Sequence, residues 1–249
     1  MTKKIIGLLL VVSISSCGGG GYQKNPVDVL IRDMSDAESF SIILYDMDVK
    51  GNFSKEYFHQ YRIIETVDSN PNDELPGETD EVTTEWLQVP EKYFEKNVDN
   101  MGMEIAAKSD DGTVTKVASP PGYSNYVGNS QYGQWRTHRD GYSFWEFYGQ
   151  YAFMRSMFNL ATFPARRSYY DDYRGGYYGS RPYYGPRSSG VPTYGTNSRY
   201  SSQHKSNSSW SKNPRKNSFT QRVNNSVKRS NSRYSSSRSM RSRSGGTGK

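Results

Sequence analysis

From Asn25 onward the apolar positions fall into short runs of distinct period. Val27, Leu30, Ile31 and Met34 stand at i, i+3, i+4 and i+7 behind Asn25 and Pro26, so an amphipathic helix is predicted to start there and end near Ser35. The period then changes. Phe40, Ile42 and Leu44 share one face of a strand, and Ile43, Tyr45 and Met47 the other, which predicts a strand over Phe40 to Val49 buried on both sides. Lys50-Gly51-Asn52 can turn the chain, and Tyr57, His59, Tyr61 and Ile63 alternate as the returning strand. Asp68 to Glu81 is acidic, contains Pro71, Pro76 and Gly77, and is predicted as a loop. Val82, Thr84 and Trp86 suggest a third strand, and Pro90 opens a short helix carrying Tyr93 and Phe94. Met103 to Lys108 and Thr113 to Ala118 flank Ser109-Asp110-Asp111-Gly112, a hairpin-turn signal, before Pro120-Pro121-Gly122 closes the pattern. Antiparallel strands with short helices predict a small α+β domain over residues 25–122.

Residues 123–141 look like a linker, and residues 142–163 begin a new period. Phe147, Tyr151, Met154, Phe158 and Ala161 form a helical stripe with Phe144 and Tyr148 beside it, predicting an aromatic amphipathic helix. Glu146 and Arg155 argue against a transmembrane span. Such a helix can dock on the domain's own surface. It can also present Phe144, Trp145, Phe147, Tyr148, Tyr151, Met154 and Phe158 to a membrane interface or a protein partner.

Residues 164–249 are mainly Tyr, Gly, Ser, Asn and Arg, with scarcely any Leu, Ile or Val to offset conformational entropy, so this stretch is predicted to be a disordered tail. Charge divides at much the same place. Residues 1–150 hold 13 Lys and Arg against 23 Asp and Glu, a net charge of −10, whereas residues 151–249 hold 19 against 2, a net of +17. An acidic domain joined to a basic arm is the implied organisation. Arginine interleaved with tyrosine suits anionic polymers, since guanidinium pairs with phosphate or carboxylate while rings stack on bases or sugars. Arg166, Arg167, Arg174, Arg181, Arg187, Arg238, Arg241 and Arg243 are the candidate polyanion contacts. The same stretch is also compatible with a solvated spacer, or with a basic arm lying against its own acidic domain, a closure that low salt favours.

The start of the chain changes the setting in which such contacts matter. Lys3 and Lys4 precede an apolar run, Ile5 to Val12, and then Ser13, Ile14, Ser15, Ser16 and Cys17, the build of a secretory signal too short to span a bilayer comfortably. Ile14-Ser15-Ser16-Cys17 resembles the lipobox of bacterial lipoproteins, with Ile14 where Leu is commonest and Ser16 where Gly or Ala is. That resemblance covers only about the first twenty residues. It implies that residues 1–16 are a signal peptide and that Cys17 is lipidated, as by palmitate, and becomes the new N-terminus. Cys17 is the sole cysteine of the 249 residues, which suits a modification site and excludes an intramolecular disulfide. With Gly18 to Gly21, residues 17–24 form a lipidated cysteine and a flexible linker. The expected location is the cell membrane or outer membrane, facing the periplasm or exterior, where nucleic acid is not the expected partner.

Catalytic and metal signals fail on inspection. Asp46, Asp48, Gly51 and Glu56 echo a calcium loop, but the fifth position is Lys50 and the twelfth is Tyr57. His59, His138 and His204 are scattered without ligand spacing. Gly246-Thr247-Gly248-Lys249 echoes a phosphate loop without the Ser or Thr and helix that must follow, and Gly-x-Ser-x-Gly does not occur. No metal or cofactor is expected, and no enzymatic activity. The expectation is a lipid-anchored envelope protein of binding or structural type whose tail contacts an anionic polymer or membrane surface. The alternative is an accessory subunit of a membrane complex, docking through residues 142–163.

Overall fold

The computed structural model describes residues 25–67 and 78–235. Asn25 caps helix α1 (Pro26–Asp33), its side chain accepting from the Val27 amide at 3.1 Å, and Val27, Leu30 and Met34 are buried as their spacing requires. Strands β1 (Ser39–Lys50) and β2 (Glu56–Val67) form the long hairpin. β3 (Glu78–Thr83) and β4 (Leu87–Val89) both line the outer edge of β2, so the end of the expected acidic loop is in fact strand. Helix α2 (Glu91–Asn97) follows Pro90, and β5 (Glu104–Lys108) and β6 (Val114–Thr115) make the expected hairpin. The sheet order is β3-β2-β1-β5-β6, antiparallel throughout, and the chain is an α+β protein.

β1 is buried on both faces, but not with a single alternation. Phe40, Ile42 and Leu44 face the core beneath α1 and α2, while Ile43 joins Ile64 in a second core across the sheet. A bulge between Leu44 and Asp46 inserts one residue, so that Met47 and Val49 return to the first core. Met47 therefore lies with Phe40, Ile42 and Leu44, not opposite them as unbroken alternation requires.

Three further expectations are corrected. Residues 123–141 are not a linker: Tyr123, Tyr126, Val127 and Tyr132 are buried in the second core, and β7 (Gly133–Thr137) begins within the stretch. Pro120-Pro121-Gly122 is a turn inside the domain rather than its end. Gly122, at φ 78°, lies so close to Phe158 that a Cβ would sit 2.9 Å from the ring. Residues 142–163 are not one helix but β8 (Ser143–Phe147), a 3-10 turn (Gly149–Tyr151) and α3 (Met154–Met157). Phe147 fits a period of two with Trp145 as well as a period of 3.6 with Tyr151, and pairing of β8 with β7 decides between them.

Within the described residues, the predicted disordered tail is folded over residues 164–235. It supplies α4 (Arg167–Gly176), a small hairpin of β9 (Arg187–Ser188) and β10 (Val191–Pro192), α5 (Arg199–His204), α6 (Ser209–Lys212) and α7 (Lys216–Ser235). Tyr173 and Tyr183 complete the second core, Trp210 and Phe219 the first, and Tyr194 and Tyr200 a third with Met103 and Ala118. Tyrosine does here what Leu and Ile do elsewhere, because each ring brings about 150–250 Å² of largely apolar surface. Their hydroxyls are met locally: Ser124 Oγ lies 3.1 Å from Tyr173, Tyr184 donates to Asn100 at 2.9 Å, and Asn159 donates to Tyr200 at 2.7 Å.

Candidate functional site: a basic aromatic face

β7 and β8 pair in register, Trp135 opposite Trp145 and Arg136 opposite Phe144, around a turn at Asp140-Gly141 where Gly141 takes φ 84°. α4 packs on β8, and the segment leading into it is tied down by the Trp145 amide donating to Ala165 O at 2.8 Å. Two ring columns result, one on each face of the hairpin. In the first, His138 stacks on Tyr142 at 4.8 Å with 16° between planes, and the Arg166 guanidinium sits 4.4 Å from the Tyr142 centroid and 5.7 Å from that of Tyr169. In the second, Arg167 lies 5.0 Å over Trp135, whose ring meets Trp145 and Tyr170.

The face continues past α4. Arg174 lies 4.0 Å over Tyr178 and Arg181 lies 4.3 Å over Tyr177. Tyr177 and Tyr178 in turn pack on buried Tyr183 and Tyr173, so the outer arginines are carried by rings rooted in the core. A stacked guanidinium gains about 0.5–1 kcal/mol at an exposed site, and it keeps its edge N–H groups free for an anion. Arg167 is paired with Asp171 at 2.9 Å and Arg136 with Glu146 at 2.7 Å. Arg166, Arg174 and Arg181 form no ion pair among the described residues.

Of the candidate polyanion contacts, Arg166, Arg167, Arg174 and Arg181 are each laid on an aromatic ring. Arg187 stands apart, donating to Gly190 O within the β9–β10 hairpin. Arg238, Arg241 and Arg243, like the lipidation candidate Cys17, lie outside the described residues. The docking surface expected of residues 142–163 is corrected. Trp145, Phe147, Tyr151, Met154 and Phe158 are all buried in the second core, Phe144 is half-buried, and only Tyr148 is exposed. The stripe is real but it faces the protein's own interior. Trp135, His138, Tyr142, Tyr169, Tyr177 and Tyr178 were missed as site residues, although Asp140-Gly141 between alternating segments is a hairpin signal that could have found the first three.

The remaining polar chemistry serves the fold. Asp46 accepts from the Ser209 and Trp210 amides at 2.7 and 3.2 Å, and Asp48 from Asn213 at 2.9 Å. Asp46 and Asp48, two of the carboxylates that echo a calcium loop, are latches for α6. Glu104 is buried among hydrogen-bond donors, Ser41 Oγ, Ser119 Oγ and the Gly122 amide, and burial pushes its carboxyl up. His59 is buried beside Phe94 and Tyr93, its Nδ1 3.0 Å from the Tyr61 hydroxyl and its Nε2 without a partner among the described residues. Burial alone pushes its pKa down to about 3. No group of three or more His, Cys, Asp or Glu is placed to hold a metal among the described residues, and no described helix is long and apolar enough to cross a membrane. No family model, curated protein or solved structure matches the chain.

Proposed function

We propose that this is a lipid-anchored protein of the bacterial cell envelope, tethered through Cys17, whose basic aromatic face holds an anionic envelope polymer or membrane surface without catalysis. The observation that carries the reading is three arginines, Arg166, Arg174 and Arg181, that form no ion pair among the described residues and are each laid on an aromatic ring. For Arg174 and Arg181, rings packed against the core restrain the guanidinium groups before binding, which lowers the ordering cost of contact. The binding element differs from the one the sequence suggests, being a folded surface and not a flexible arm. Cell membrane or outer membrane is the proposed address, and the lipobox resemblance is what supports it.

The test uses the full mature chain, retained on a polyphosphate matrix and on a neutral dextran matrix across a salt series. Retention is expected on the polyanion alone and to fall with salt, as counterion release requires. Replacing Arg166, Arg174 and Arg181 together by Gln is expected to lower the salt dependence by up to about three phosphate contacts. Equal retention of the triple variant refutes the face as the contact surface. Incorporation of labelled fatty acid into the wild type but not Cys17→Ala tests the anchor separately.

A further inference from the structure

The C-terminal segment forms an open cleft that the basic aromatic face does not include. Its volume is about 370 Å³, and it lies between the α5 region and the start of α7, lined by Thr196, Ser198, Arg199, Ser206, Ser211 and Lys216 among others. That volume falls within the range of about 300–1,000 Å³ usual for small-molecule sites, but the lining is the reverse of the usual apolar one. Val191 is its sole large apolar side chain, and no carboxylate occurs among the described lining residues. An apolar ligand finds almost nothing there to bury against.

The charges point more narrowly. Arg199 and Lys216 come from α5 and α7, and neither forms an ion pair among the described residues. The Lys216 ammonium is partly desolvated, which burdens its charged form. Two cations on one cleft, neither ion-paired among the described residues, suit a single anionic group, Arg199 giving one N–H to Thr193 Oγ1 at 2.9 Å and keeping the others. Around them stand the hydroxyls of Ser201 and Ser206, those of Ser202 and Ser211 with one hydrogen-bonding role each already used, and the amide of Asn197, donors and acceptors suited to a polyol, while the Thr196 and Ser198 hydroxyls are committed to the backbone.

The walls are held independently of any ligand. Thr196 Oγ1 donates to Val98 O at 2.6 Å and accepts from the Met101 amide at 3.1 Å, fixing this side to the end of α2. Ser198 caps α5, accepting from the Ser201 amide at 3.0 Å. On the other side Asp46 holds the start of α6, Trp210 is buried in the core, and Ser208 Oγ donates to Ser211 Oγ at 2.9 Å. A cleft with restrained walls spends little binding energy on ordering them.

We propose that this cleft binds a small polyhydroxylated molecule carrying one phosphate, with Arg199 and Lys216 on the phosphate and the serine-rich wall on the hydroxyls. The inference is independent of the basic aromatic face. Titration calorimetry of the full mature chain with glucose 6-phosphate, glucose and inorganic phosphate tests it. Binding of glucose 6-phosphate is expected, tighter than that of inorganic phosphate, with no heat from glucose at equal concentration. Arg199→Gln and Lys216→Gln are each expected to weaken it about tenfold, the loss of one charge-assisted contact, while Lys216→Arg retains most of the affinity. The near-ultraviolet dichroism of each variant verifies that the buried Trp210 environment is unchanged. Inorganic phosphate binding as tightly as the sugar phosphate overturns the proposal. So does unchanged affinity in the double Gln variant, or absence of binding at millimolar glucose 6-phosphate.

Discussion

His59 and Glu104 are ionisable side chains placed where their charged forms are disfavoured, on opposite sides of one sheet. For His59 the folded pKa of about 3 lies below the ordinary 6.5, so the unfolded chain takes up a proton more readily. Its contribution is complete above about pH 6.5 and is lost as pH falls from there towards 3, at up to about 1.4 kcal/mol per unit. Glu104 acts in the opposite sense, its raised pKa making stability fall as pH rises above its ordinary 4.5. Comparison of wild type with His59→Gln separates the two, because the amide can still meet the Tyr61 hydroxyl but cannot titrate. The variant's stability in urea is expected to be flatter between pH 6.5 and pH 4. An unchanged acid slope shows that His59 is not the responsible group. A second position acts through shape. Gly102, at φ 79°, leaves only 2.7 Å between a would-be Cβ and the Tyr200 ring, so this turn and the packing of α5 are coupled.

At the scale of elements, the short C-terminal helices hold their places through β1. α6 has four residues, too few to be stable by itself, and it persists because Asp46 accepts two of its backbone N–H groups while Trp210 is buried beneath it. The bulge at Tyr45 is what permits this, since it offsets β1 so that Asp46 is placed to meet α6 while Met47 turns back into the first core. Asp46→Ala is expected to cost about 1–2 kcal/mol, the usual cost of losing a helix cap. Amide exchange should accelerate over residues 205–222, with α1 and β5 little changed. Uniform acceleration instead shows that the segment does not open as a unit.

At the scale of the molecule, acidic and basic halves are joined by packing far more than by charge. Among the described residues one ion pair crosses from the first 150 residues to the rest, Arg222 with Glu91 at 3.4 Å, and both partners are about half exposed. Pairs of that kind contribute about 0–1 kcal/mol. Trp210 and Phe219 meanwhile fill the first core against Phe94. Raising salt to about 1 M, where the screening length is about 3 Å, should therefore leave the melting temperature nearly unchanged, contrary to a purely electrostatic closure. Ending the mature chain after residue 163 should remove its cooperative melting transition and expose dye-binding apolar surface. A sharp transition in the truncated chain contradicts the shared core.

Sequence by itself determined the elements whose signals are local: the capped start of α1, the β1–β2 hairpin, Pro90 ahead of α2 and the turn at Gly112. Period and turn chemistry act over a few residues, so they survive without tertiary information. What lay beyond reach was decided by partners distant in the chain. The aromatic run at 142–163 satisfies two periods, and only β7 selects the strand. The tyrosines after 168 pass for a disordered composition until a sheet some hundred residues earlier gives their rings an interior. The arginine columns and the serine-lined cleft depend on that burial. Neither exists in the sequence as a motif, because each is assembled from side chains that only the completed core brings together.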